Sequence, residues 1–267
     1  MFWVRFRSSV MLVVLTLFTV IMGGDLLFAV IGLISLIGLS ELYKLLKVNN
    51  SVVGYIGYVA CVAYYALVYF NAKEHMMLLF VAFIMVLMVA YVFTFPKYRS
   101  EQVFITFFGL FYVAIMLSHI YQVRMLDDGL WLVWLLFIGA WGSDTCAYLV
   151  GISIGKHKMT PKLSPKKSIE GGIGGILGAA LIGFLYGLAI QHKIGTFNNP
   201  QVAFAIICGA SSIVSQIGDL AASAIKRNYD IKDYGRLIPG HGGILDRFDS
   251  IIFTAPIVYY LAEFLSR

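Results

Sequence analysis

Residues 75–95 read His-Met-Met-Leu-Leu-Phe-Val-Ala-Phe-Ile-Met-Val-Leu-Met-Val-Ala-Tyr-Val-Phe-Thr-Phe. About 20 consecutive apolar residues suffice for an α-helix to cross the hydrocarbon core of a bilayer. Inside that core every backbone N–H and C=O has to be satisfied within the segment, which a helix does by itself. Comparable runs occupy 8–22, 26–43, 52–71, 102–122, 129–150, 171–190, 201–222 and 248–265. The chain therefore reads as all-α, a polytopic integral membrane helical bundle of about nine transmembrane helices. The first run follows Arg5 and Arg7, as a signal peptide would. Its exit, Met22-Gly23-Gly24-Asp25, is a poor cleavage site, so the run is expected to stay as an anchor.

Composition agrees. Of 267 residues, 60% are hydrophobic and 13% charged, and the mean hydropathy is +0.85. A soluble domain carries about 25% charge and roughly 45–50% apolar residues. The net charge of +6 fits basic cytoplasmic loops, anionic lipid or phosphate ligands, and no nucleic-acid partner is expected. The cysteines Cys61, Cys146 and Cys208 are odd in number, form no Cys-x-x-Cys pair and lie in apolar runs. They read as buried free thiols.

Charge also orients the chain. With the N-terminus inside and the runs alternating, all but four of the 20 Lys and Arg fall on the inner side. The outer ones are Lys73, Arg124, Lys193 and Arg267. This bias predicts an N-in, C-out topology. Residues 1–125 then form a scaffold of transmembrane helices, and 126–267 a second transmembrane region with two basic cytoplasmic loops, which the resemblance described below makes the catalytic one. The absence of a convincing internal repeat weighs against an ion-coupled transporter.

The ionisable residues gather in the second region. Asp246 and Asp249 sit three apart at the start of the last run, on one helix face. Two carboxylates at that spacing repel by roughly 3 kcal/mol at an effective dielectric of about 20. Arg247 points off that face. A divalent cation would compensate, and Mg²⁺ takes a few carboxylates together with substrate phosphates. N-capping alone accounts for one of the two acids. Asp219 interrupts the apolar run 213–220, where a charge costs about 2.5–3.5 kcal/mol. Asp144, in Trp-Gly-Ser-Asp-Thr-Cys-Ala-Tyr (141–148), is similar.

Basic and glycine-rich segments accompany these acids. Ser164-Pro165-Lys166-Lys167-Ser168 offers hydroxyls and point charges to phosphate oxygens. Gly171, Gly172, Gly174, Gly175 and Gly178 lack the Lys-Ser/Thr of a nucleotide P-loop, so they read as a close helix contact. His241, between Gly240 and Gly242-Gly243, exposes imidazole and backbone N–H groups to a phosphate. His75, His119, His157 and His192 show no ligand spacing.

The run Ser223-x-Ile225-Lys226-Arg227-x4-Lys232-Asp233-x-Gly235-x2-Ile238-Pro239-x-His241-Gly242-Gly243-Ile244-x-Asp246-Arg247-Phe248-Asp249 resembles the signature of the phosphatidate cytidylyltransferase (CDP-diacylglycerol synthase) family. Asp144-Thr145-x-Ala147-Tyr148 and Ser164-Pro165-Lys166-Lys167-Ser168-x-Glu170-Gly171 resemble further motifs of that family. Ser168 stands where Thr is common. The resemblance is close in the second half and rests on length and span pattern in the first.

It implies a Mg²⁺-dependent transfer of the cytidylyl group of CTP to phosphatidic acid, giving CDP-diacylglycerol and pyrophosphate at the cytoplasmic face of a bacterial-type inner membrane. Asp144, Asp219, Asp246 and Asp249 would hold one or two cations. Asp219, Asp246, Asp249, Lys226 and Arg247 would carry catalysis. Lys166, Lys167, Ser223, Arg227, Lys232, Arg236, His241, Gly242 and Gly243 would bind substrate, and a homodimer is a further expectation. Alternatives are an ion-coupled transporter and a CTP-dependent enzyme acting on a related lipid phosphate. A CDP-alcohol phosphotransferase needs a different aspartate motif.

Overall fold

The computed structural model describes residues 2–266; Arg267, and the side chain of Arg5, both used in the charge count, lie outside what is described. The helices in chain order are α1 (Phe2–Met22), α2 (Gly24–Lys44), α3 (Val52–Tyr69), α4 (Lys73–Phe93), α5 (Ser100–Arg124), α6 (Gly129–Ile154), α7 (Ile169–Ile190), α8 (Pro200–Asn228) and α9 (Leu245–Leu265). Among the described residues α2 to α9 supply 8 helices long and apolar enough to cross a membrane. The chain is thus a polytopic, all-α membrane protein. The apolar part of α1, Phe6–Met22, is shorter, about 25 Å at 1.5 Å per residue against a core of about 30 Å.

Local sequence explains the boundaries. Gly23 and Gly24, at φ 63° and 51°, turn the chain sharply between α1 and α2 in a left-handed conformation that glycine enters without a Cβ penalty. Ser51 caps α3 by accepting from the Gly54 N–H, and Ser168 caps α7 by accepting from that of Gly171. α8 opens on Pro200, whose missing N–H is no loss in a first turn. Both α5 and α6 widen into a π-helical stretch, Leu110–Ile115 and Ile138–Gly142. The second lies directly before Asp144. One element departs from the helical expectation: the 156–168 loop contains an antiparallel hairpin, β1 (Lys158–Thr160) with β2 (Ser164–Ser168).

The chain divides into two units. The first comprises the residues up to Ser118 together with Asp233–Arg247. Leu27, Leu39, Leu42, Tyr43, Leu87 and Leu110 are fully enclosed in it. Its buried hydroxyls are paired: Ser35 with Tyr65 at 2.7 Å, Tyr64 with Ser118 at 2.8 Å, and Tyr43 donating to the Thr106 carbonyl at 3.0 Å. Only 11% of the apolar window of α4 is buried, which suits a lipid-facing helix.

The second unit comprises His119–Lys232 and the chain from Phe248 onward. Its centre is α7. Gly171, Gly175, Ala179, Gly183 and Gly187 recur every fourth residue along one buried face. A Cβ at Gly175 would meet Ser143 and Ala147 on α6, and one at Gly183 or Gly187 would meet the α8 backbone at Phe204 or Gln201. The glycine run is a close helix contact, as its small residues predict. At the far end, Asp128 accepts from the N–H groups of Gly195 and Thr196 and from the Thr196 hydroxyl. Burial opposes the Asp128 charge, yet these three donors outweigh it and hold its pKa below the usual carboxylate value.

Gly183→Leu is expected to lower the unfolding midpoint in an SDS titration strongly, since overpacking a tight contact costs about 1–3 kcal/mol or more. Gly195→Ala, with open space around the added methyl, is expected to leave the midpoint within error.

Candidate active site

In the second unit, α8 carries Ser212, Gln216, Asp219, Ser223 and Lys226 at spacings of three and four, so they form one polar stripe along a membrane helix. Ser212 bonds the Ser143 hydroxyl of α6 at 2.7 Å. Gln216 donates to the Gly172 carbonyl of α7 at 3.1 Å. The stripe thus sews three helices together and delivers Asp219 to their common edge.

There the hairpin supplies a cation. Lys167 Nζ lies 2.5 Å from Asp219 Oδ2, with both side chains about a quarter exposed (26% and 29%). Asp144 feels the charges of both Lys167 and Asp219. Asp144 and Lys167 border a cavity of about 460 Å³ whose lining also includes Tyr148, Lys158, Lys166 and Gln216. One acid and three lysines thus line one cavity, and a second acid, Asp219, is paired with one of those lysines. The hairpin is stapled at its base by Glu170, which accepts from the N–H groups of Lys156 and His157 and sits 2.6 Å from His157 Nδ1. Sequence assigned His157 no role; only the hairpin puts it opposite Glu170.

Asp249 belongs to the same unit. A Cβ at Gly218 would lie 2.9 Å from the Asp249 carbonyl oxygen. α9 at Asp249 therefore packs against α8 at Gly218, the residue preceding Asp219. The Asp249 carboxylate is half-buried and accepts from the Ser250 N–H at 2.8 Å. Ser223 and Lys226 are half-buried, while Arg227 and Lys232 are exposed at the end of α8 and in the following loop. Arg227 donates to the Ile231 carbonyl at 3.2 Å.

In the first unit, the 234–244 loop folds on itself. The Ile238 N–H donates to the Gly242 carbonyl and the His241 N–H to the Ile238 carbonyl, at 2.9 Å each. Gly240 and Gly242 have φ of 77° and 86°, in the region that side chains disfavour. Asp246 is 6% exposed, and its Oδ2 accepts from the N–H groups of Tyr234 and Gly243 at 2.8 and 2.9 Å. His241 Nε2 lies 2.9 Å from the Ser9 hydroxyl of α1, and Ser8 donates to the Pro239 carbonyl at 3.1 Å. The other ring nitrogen of His241, Nδ1, is buried without a hydrogen-bond partner. Arg236 and Arg247 are exposed. Ser8, Ser9 and Glu41 went unnoticed in the sequence, because nothing near them in the chain points to residues more than 200 positions away.

Among the described residues, no three His, Cys, Asp or Glu side chains converge closely enough to hold a metal ion. The four acids expected to do so stand on α6, α8 and α9. Asp246 has the loop as a partner, a use that the spacing of Asp246 and Asp249 did not suggest.

The sequence model of the cytidylyltransferase family matches residues 3–265. The chain belongs to the cytidylyltransferase family. It is 38% identical over 168 residues to a phosphatidate cytidylyltransferase of Bacillus subtilis (strain 168), covering 62% of this chain and 60% of that protein. A protein of the same name from Rickettsia felis is 36% identical over 156 residues, 58% of this chain and 68% of that one. Another from Thermotoga maritima is 34% identical over 157 residues, 59% and 58% respectively. The matched stretch spans well under two thirds of the Bacillus protein's length. The family match extends into the first half of the chain, which its motifs left unassigned.

Gly242→Ala is expected to destabilise the first unit by at least about 1–2 kcal/mol, the cost of a side chain in a left-handed conformation. Its methyl would also press on the Asp246 carboxylate. Thermal unfolding in detergent measures this, with Gly195→Ala as the neutral control.

Proposed function

We propose that this chain transfers the cytidylyl group of CTP to phosphatidic acid, giving CDP-diacylglycerol and pyrophosphate. The observation that carries the proposal is the meeting of Asp144 with Lys158, Lys166 and Lys167 at one cavity, where Lys167 is paired with Asp219, in a chain of this family. A phosphate oxygen of the lipid would attack the α-phosphorus of CTP. The bond from that phosphorus to the bridging oxygen would break, and pyrophosphate would leave with the electron pair. The lipid phosphate is already an anion, so no strong base is needed. What the site has to supply is positioning and charge neutralisation for two polyanions.

The lysines of the hairpin meet that need. Lys158 and Lys166 would take triphosphate oxygens, and Lys167 stands between the phosphates and Asp219. Ser223, Lys226, Arg227 and Lys232 extend the basic surface along the end of α8. On the first unit, the unpartnered His241 Nδ1 suits a phosphate oxygen, with Arg236 and Arg247 exposed nearby in sequence. Mg²⁺ belongs to the proposal. One or two of the carboxylates of Asp144, Asp219 and Asp249 would serve as hard oxygen donors alongside substrate phosphates, and Mg²⁺ held so would neutralise triphosphate and leaving group. Asp246 would act first by holding its loop.

The proposed orientation is N-in and C-out, with the hairpin on the cytoplasmic face of a bacterial plasma membrane, where CTP is available. The charge distribution among the loops supports it. A homodimer is an expectation of the sequence.

Purified protein with labelled CTP, phosphatidic acid and Mg²⁺ in detergent is expected to form CDP-lipid. Asp219→Asn should lower kcat by about 100-fold or more, the scale on which loss of one electrostatic group acts. A wild-type chain that forms no CDP-lipid, or an Asp219→Asn variant at wild-type rate, would refute the proposal. A cysteine placed at Lys162 is expected to react with a membrane-impermeant maleimide only in inverted vesicles; labelling of intact cells would reverse the topology.

A further inference from the structure

Glu41 lies on α2, in the part of the chain that reads as scaffold, and is 2% exposed. A carboxylate buried within a membrane helix is costly and has to be answered by donors. Its donors come from the other end of the chain. Oε1 accepts from the Ile244 N–H at 3.0 Å, and Oε2 accepts from the Leu245 N–H at 2.9 Å. Leu245 is the first residue of α9. The first N–H groups of a helix have no partner within it and are ordinarily capped by a side chain just upstream. Here the cap arrives from a different helix, 203 residues away along the chain. A negative charge at that position is also favoured by the helix dipole.

The loop before α9 is shaped around this carboxylate. A Cβ on Gly235 or on Gly243 would run into the Glu41 carboxylate. Glycine at these two places is therefore explained by close approach. Asp246 holds the neighbouring N–H groups of Tyr234 and Gly243. The two acids thus take up four N–H groups, of Tyr234, Gly243, Ile244 and Leu245, and Glu41 holds the consecutive pair at the start of the helix.

We propose that Glu41 is a positioning residue for cytidylyl transfer. It fixes the Gly240–Gly243 loop and the first turn of α9, and with them His241 and Asp246, without touching substrate. The link to turnover rests on the function proposed above; the hold on the loop does not. Glu41→Gln is the informative change, because it keeps the volume but sets an amide NH₂ against one of the two N–H groups. Glu41→Asp keeps the charge and shortens the reach.

The test uses the full chain in detergent and reads kcat, KM for CTP and backbone amide exchange. For Glu41→Gln, the expected result is a well-folded protein whose kcat falls at least tenfold while KM for CTP changes less than threefold. Amide exchange in peptides covering 240–247 should rise at least tenfold, with peptides from α3 unchanged. Gly243→Ala should produce the same local loosening, and adding Glu41→Ala to it should cost less than the two single effects combined, since the small side chain removes the collision. Unchanged exchange at 240–247 in Glu41→Gln overturns the proposal, as does loosening of that loop with wild-type kcat. A uniform rise in exchange across the first unit also overturns it, because that is the mark of a merely structural acid. If the wild-type chain makes no CDP-lipid, the functional proposal fails separately, while the exchange data and the Gly243→Ala/Glu41→Ala coupling still decide whether Glu41 holds the loop.

Discussion

A carboxylate within a membrane segment must find a donor on its own chain, and much of this protein is arranged by how its acids do so. Asp219 is met by Lys167 from a hairpin. Glu41 is met by the first N–H groups of the last helix. Asp246 is met by N–H groups of the loop preceding that helix. Each pairing fixes an element that hydrophobic packing alone would leave loosely placed, because lipid-facing helices gain little from apolar contact with one another. The acids thereby serve position as well as chemistry.

This explains what was legible in the chain and what was not. Helix existence was legible, since a run such as 75–95 has one physical solution in a bilayer. The α7 glycine run, from Gly171 to Gly178, was legible too, because small residues allow helix backbones to approach closely. The hairpin was hidden: Ser164-Pro165-Lys166-Lys167-Ser168 has no apolar alternation and contains a proline, so nothing in it signals a strand. Its order comes from Glu170 and His157, paired across the hairpin base. The shortness of the first apolar helix was visible as a 15-residue run, from 8 to 22, and its contact with the 239–241 segment through Ser8 and Ser9 was not.

The site was legible by residue type and less so by role. Asp144, Asp219, Lys166 and Lys167 were singled out from sequence; Asp144 and both lysines line one cavity, and Asp219 pairs with Lys167. The i, i+3 spacing of Asp246 and Asp249 suggested two acids with one task. The fold gives them different neighbours, backbone N–H groups of the preceding loop for Asp246 and the Gly218 turn of α8 for Asp249. Glu41 is a lone acid in an apolar run, and its partners are set by tertiary structure alone. Local pattern has no access to a cap supplied from the opposite end of the chain.

The most direct measurement of the account is photolabelling with CTP that carries a photoreactive group on its γ-phosphate, in the presence of Mg²⁺, followed by peptide mapping. The proposed site predicts that label falls on peptides covering 156–170 and 216–228 and is displaced by excess CTP. Label confined to helices α2–α4, or label that CTP does not displace, would contradict it.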